Sequence, residues 1–242
     1  MERLFRCFEI SHYFIIVKQF STHKFQKMEK FVNPKEPTLF RSPFLEFFAK
    51  TNALVTFSYL SIYMALLIWI SSMSLISPGA ANLILLYISG IFTWTFFEYV
   101  LHRYLFHLGG ESAAVKKLTY TLHGIHHDQP REERWVFMPP APGTIFIAFF
   151  FGVFWLLMRE YSFLFLAGFL NGYMIYAFMH FGIHLKRPVK GFKFLWRHHA
   201  LHHHKYPDKA FGVSSRFWDI VFRTMPPSNK EMTRTGSPSV TN

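Results

Sequence analysis

Residues 123–127 read HGIHH and residues 198–203 read HHALHH. Each stretch holds the pattern HxxHH, once as His123, His126 and His127 and once as His199, His202 and His203. Residues three and four apart share one face of a helix, so each pattern aims imidazoles at a common point. Two pairs accompany the triplets: His102 and His107 in HRYLFH, and His180 and His184 in HFGIH. All ten lie on or just beyond the ends of long apolar runs. Neutral imidazole is the commonest metal ligand and suits iron, copper, nickel and zinc. Ten exceed what one ion can hold, which predicts two metals sharing a site at a membrane surface. His12, His23, His198 and His204 fall outside the pattern and read as bland, although a shifted register of the second triplet would recruit His204.

The apolar runs set the frame. Ala53–Ser77 carries no charge and is long enough to cross a bilayer, which takes about 20 residues. Ser77-Pro-Gly-Ala80 reads as a tight turn, and Ala81–Phe97 is apolar again, its helix running on through Glu98 to His102 and His107. Thr144–Met158 is short for a span, so it tilts, thins the bilayer or forms half of a re-entrant hairpin. Arg159-Glu160 interrupts it, and Tyr161–Phe178 leads back to His180 and His184. Lys186, Arg187, Lys190, Lys193 and Arg197 follow at once. The outer ends carry the positive charge, which predicts that all four histidine clusters share the cytoplasmic face. The expected fold is therefore all-α and integral to the membrane: four transmembrane helices in two hairpins, capped by a histidine-rich di-metal domain.

Around that core, residues 1–50 form an N-terminal cytoplasmic or interfacial segment, 51–227 the membrane-embedded domain and 228–242 a flexible tail. Phe14–Val17 is too short for a signal-peptide core, and Met28 offers a second start. Pro43–Lys50 reads as a short amphipathic surface helix, and residues 210–227, through Phe217, Trp218, Ile220, Val221 and Phe222, as an interfacial one.

Composition narrows the chemistry. Of 242 residues 51% are apolar, and the net charge of +12 flanks the apolar blocks, so anionic headgroups rather than nucleic acid are the partner. A single cysteine, Cys7, excludes an intrachain disulfide and iron–sulfur chemistry, leaving nitrogen and oxygen ligands. Zinc fits imidazole but cannot change oxidation state. A pair of irons activating O2 accounts best for so many ligands at a membrane surface, because it can cleave an unactivated C–H bond of a lipid chain.

At this point HRYLFH, HGIHHDQP, WVFMPPAP, the stretch from Tyr176 to His184 and HHALHHHK followed by FGVSSRFWDIVF resemble the fatty acid 2-hydroxylases of the fatty acid hydroxylase/sterol desaturase superfamily. The resemblance covers roughly residues 35–227. It implies insertion of a hydroxyl at carbon 2 of an acyl chain, free or in ceramide, using O2 and electrons from a separate b-type cytochrome or other donor. It also implies a metal-ligand set of His102, His107, His123, His126, His127, His180, His184, His199, His202 and His203, with Tyr176 one turn before the third cluster. Zinc can take the place of the two iron ions in isolated protein. No HPGG haem motif occurs, so no fused cytochrome domain is expected. Glu98, one turn before His102, either orients that ring or is an interfacial charge that snorkels; Asp128, beside the first triplet, is a similar candidate. A sterol, carotenoid or ether-lipid oxidase is the alternative within the superfamily. A membrane metal transporter is the alternative outside it, disfavoured because the middles of the first two spans hold no ionisable residue. The expected location is a multi-pass membrane site, endoplasmic reticulum in a eukaryote or inner membrane in a bacterium.

Overall fold

The computed structural model describes residues 38–74 and 79–227. The segments 1–37 and 75–78, the latter with half of the expected turn at residues 77–80, and the tail 228–242 lie outside the described residues, as do His12 and His23.

Every regular element among the described residues is helical. The chain opens with α1 (Pro43–Ala49), whose Phe44 and Phe47 stand exposed while Glu46 is buried, accepting hydrogen bonds from the Leu39 and Phe40 amides and pairing with Lys50 at 2.7 Å. An apolar face turned outward with its one acid turned inward is what a bilayer surface, not water, would stabilise. Next comes α2 (Ala53–Ser72), started by Asn52, whose side-chain oxygen accepts from the Val55 amide at 3.0 Å. The second long helix, α3 (Ala80–Val100), passes without a break into a π-helical segment, Leu101–Phe106. Short pieces follow: α4 (Ala113–Thr119), a second π segment (Tyr120–Gly124) and α5 (Ile125–Asp128). Two more long helices, α6 (Pro140–Met158) and α7 (Tyr161–Leu185), precede α8 (Lys193–His204) and the single-turn α9 (Phe217–Val221).

Two expectations need correcting. The apolar run at Thr144–Met158 is not the whole helix, because α6 begins at Pro140. Proline lacks only an N–H that the first turn leaves unpaired anyway, so Pro140 and Pro142 start the helix instead of breaking it. At 19 residues, α6 is about 28 Å long, close to a bilayer core. The interfacial helix read into residues 210–227 shrinks to α9, and the residues before it form an irregular strap. With α6 extended, four helices are long and apolar enough to cross a membrane.

The four follow one another as two hairpins, and the closest packing crosses between them. Both α2 and α3 lie against α7, and scarcely against each other. Helix α7 is the central post: 56% of its apolar window is buried, against 11–22% in the other three. Lipid tails are as apolar as leucine, so close packing rather than water exclusion must hold membrane helices together. Small residues permit it here. A Cβ added at Gly168 would lie 2.0 Å from the Tyr87 carbonyl oxygen, and one at Gly90 would lie 2.2 Å from that of Phe165. Backbones of α3 and α7 thus touch directly. Below that contact Phe97, Phe150 and Phe169 interlock, with ring centroids 4.9 Å apart between Phe150 and each of the others.

Because α3 and α7 are the second strokes of successive down-and-up excursions, both deliver their C-terminal ends to one side. Those ends carry His102 and His107, and His180 and His184. On the opposite side, Ser74 Oγ donates to Glu160 at 2.6 Å, tying the two connections together.

Candidate metal centre

His102 and His107 are five residues apart. On an α-helix that spacing would point them about 140° from each other. The chain resolves this by winding Leu101–Phe106 as a π-helix, whose i→i+5 hydrogen bonds bring residues five apart onto one side. The Tyr120–Gly124 segment, which carries His123, is wound the same way before the chain returns to α-geometry for His126 and His127. Helix α8 brings the last triplet underneath.

These elements gather ten imidazoles into two groups of five. One is His102, His107, His123, His127 and His202; the other is His126, His180, His184, His199 and His203. Within each, one nitrogen per residue lies within 4.8 Å of all the others. The adjacent residues part company: His126 and His127 enter different groups, as do His202 and His203. The sharing is reciprocal. Each group takes one helix-end pair, the outer two histidines of one triplet and the middle one of the other.

Hydrogen bonding among the rings cannot explain this arrangement. The Nε2 atoms of His180, His184 and His199 form a triangle with sides of 3.1, 3.1 and 2.8 Å. A neutral Nε2 is either donor or acceptor, and three mutual neighbours cannot alternate. A cation facing three lone pairs removes the conflict. The spacing fits as well, since two nitrogens about 2.1 Å from one ion and at right angles to it stand about 3.0 Å apart. Between His102 and His123, His107 and His202, and His199 and His203 the Nε2 separation is 3.0 Å in each case. The donor set is all nitrogen, which suits iron or zinc.

Protonation favours metal too. Burial, followed by the neighbouring imidazoles, holds His123, His126, His127, His199 and His203 well below the ordinary histidine range. Burial brings His107 down to about 4, and burial with His107 alongside brings His202 to about 3. All seven present free lone pairs at neutral pH.

Comparison with known proteins fits this geometry. Residues 87–224 match the model of the fatty acid hydroxylase family. The chain is 35% identical over 199 residues to a dihydroceramide fatty acyl 2-hydroxylase, FAH1, of Arabidopsis thaliana, covering 78% of this chain and 80% of that protein. It belongs to the fatty acid hydroxylase family. A fatty acid 2-hydroxylase of Mus musculus is 36% identical over 148 residues, covering 59% of this chain and 40% of the mouse protein, so the chain spans well under half of that relative. A solved structure described as full-length Scs7p, with only the hydroxylase domain visible, superposes with a TM-score of 0.69 at 31% identity, covering 76% of this chain and 70% of that one. Family membership and the four apolar helices together make the chain an integral membrane protein.

Tyr176 stacks on His180, centroids 5.4 Å apart at 25°, and on Tyr173 behind it. Glu98 is buried but does not touch His102; its carboxylate reaches the Val213 and Ser214 amides instead. Asp128 faces the Tyr120 hydroxyl, not an imidazole. His204 belongs to neither group. His198, read as bland, is buried and hydrogen-bonded to buried Asp219 at 3.0 Å. Asp219 escaped the sequence reading, since its partners lie five to 21 residues away and no local spacing marks it.

Proposed function

We propose that the two imidazole groups hold two iron ions and that the chain hydroxylates a lipid acyl chain at carbon 2, free or within ceramide. The observation carrying the metal reading is the triangle of Nε2 atoms, which a cation satisfies and hydrogen bonds cannot. When bound, the irons would supply the oxidising chemistry by which one atom of O2 enters a C–H bond and the other leaves as water, with two electrons from a separate donor such as a b-type cytochrome and two protons from solvent.

The chain's own residues prepare for this. The two imidazole groups bind the ions side by side at the ends of α3 and α7, so the reacting site lies at the polar edge of the membrane. A lipid's headgroup sits at that edge, and carbon 2 is the chain carbon next to it; a carbon further along would lie deeper between the helices. That depth favours carbon 2 and agrees with the 2-hydroxylase names of the relatives. Tyr176 stacks between His180 and Tyr173, Trp94 packs on Tyr173 at a tilt of 59°, and these rings keep water from that side of the site. The positive flank from Lys186 to Arg197 supports a cytoplasmic face for the site.

The test is expression in cells that make no 2-hydroxylated acyl chains, followed by mass spectrometry of free and ceramide-bound acids. Hydroxyl at carbon 2, dependent on O2, is expected. Hydroxyl at another position, or on a sterol, would refute the assignment.

A further inference from the structure

Residues 209–214 form a strap beneath the first imidazole group, and every amide from Ala210 to Ser214 is held. Ala210 N donates to the Thr224 carbonyl at 2.9 Å. Phe211 N and Gly212 N donate to the two oxygens of Asp219 at 2.9 and 2.8 Å. Val213 N and Ser214 N donate to Glu98 Oε1 at 2.7 and 2.8 Å, and Ser214 Oγ donates to Oε2 of the same carboxylate at 2.5 Å. Asp219 is itself fixed by His198 Nε2 at 3.0 Å and Thr224 Oγ1 at 2.7 Å. No side chain fits at position 212, where a Cβ would lie 2.0 Å from the Ser215 carbonyl and 2.9 Å from Asp219.

The strap's carbonyls face the other way. Phe211 O accepts from His102 Nδ1 at 2.5 Å, and Lys209 O accepts from His202 Nδ1 at 2.8 Å. Each bond places the proton on Nδ1 and turns the Nε2 lone pair inward. Both rings belong to the first group. The strap gives the second group no such bond: the buried Nδ1 atoms of His199 and His203 have no hydrogen-bond partner among the described residues, and the backbone beside His180 is that of Val136. A carboxylate often touches a metal-binding histidine directly, but here two carboxylates act through one stretch of backbone.

We infer that Glu98 and Asp219 are positioning residues which, through the strap 209–214, set the metal affinity of the His102/His202 group and leave that of the other group unaffected. This rests on the two-ion reading above. The inference makes the two sites unequal, with the strapped ion released more slowly than its neighbour.

Detergent-purified holoprotein is exposed to EDTA for timed intervals and its metal counted by elemental mass spectrometry. Wild type is expected to start with two ions per chain and lose them in two phases. To separate the sites, His199→Ala retains only the strapped group and His123→Ala only the other. Adding Asp219→Asn or Glu98→Gln to His199→Ala should weaken retention about 10- to 100-fold, the usual effect of losing such outer support. Adding either to His123→Ala should change nothing. Ser214→Ala, which removes one hydroxyl and spares both carboxylates, should give the same site-selective direction with smaller size, and decides the matter if the carboxylate variants do not fold. Equal effects on both groups, or none on either, would overturn the inference. Wild-type protein with fewer than two ions would instead overturn the metal reading beneath it.

Discussion

A histidine's place in its triplet decides which group it joins, and the decision turns on one residue. His126 and His127 are neighbours in sequence, yet their ring centroids lie 6.1 Å apart at 78°, pointing into separate groups. About 100° of helical rotation separates adjacent side chains, so neither can serve its neighbour's ion. His126→Ala and His127→Ala should therefore each leave one ion, lost from different groups, and each should abolish turnover. Elemental analysis with product assay checks both, and near-normal activity in His127→Ala would contradict the account. The same holds for His202 and His203. Elsewhere the residues that matter act by being small: Gly168→Ala must push a methyl into the Tyr87 carbonyl of the neighbouring helix, and is expected to cost about 1–3 kcal/mol or more, read as earlier thermal unfolding in detergent.

Among the elements, the π-helical segments carry the site. The five-residue gap between His102 and His107 suits an i→i+5 winding, and a straight α-helix would scatter the pair. Deleting Leu105 should return the segment to α-geometry with the histidines four apart, but rotate His107 and all that follows relative to α3. Loss of the first group's ion with the second retained is expected, measured by metal content; a variant keeping both ions would show that the winding is dispensable. The gathering of the ten histidines at one end of the long helices was legible in the sequence because three- and four-residue spacings and the ends of apolar runs are local signals. The π-winding left no such signal, and His102 and His107 stood out only as a pair. Glu98 was marked by its closeness to His102 in sequence, while its partners Val213 and Ser214 lie more than a hundred residues on. Asp219 and His198 were missed for the same reason. The start of α6 was read too late, because the apolar run opens at Thr144 while the first turn of the helix, with Pro140 and Pro142, lies before it.

For the whole molecule, α7 organises the fold because it alone is packed on several sides, by α2, α3 and α6. That arrangement puts the ends of α3 and α7 side by side, and from it follows a topology: the connections before α3 and α7 face away from the histidines. A cysteine at exposed Ala81, in protein with Cys7 replaced by serine, should react with an impermeant maleimide only from the side opposite the site. Labelling from the cytoplasm would invert the orientation. Two ions side by side, each ringed by five imidazoles drawn reciprocally from both triplets, would scatter anomalously at the iron edge in crystals of freshly prepared active protein. Two peaks are expected, one ringed by His102, His107, His123, His127 and His202 and the other by His126, His180, His184, His199 and His203. A single peak, or two peaks each served by one whole triplet, would contradict this arrangement.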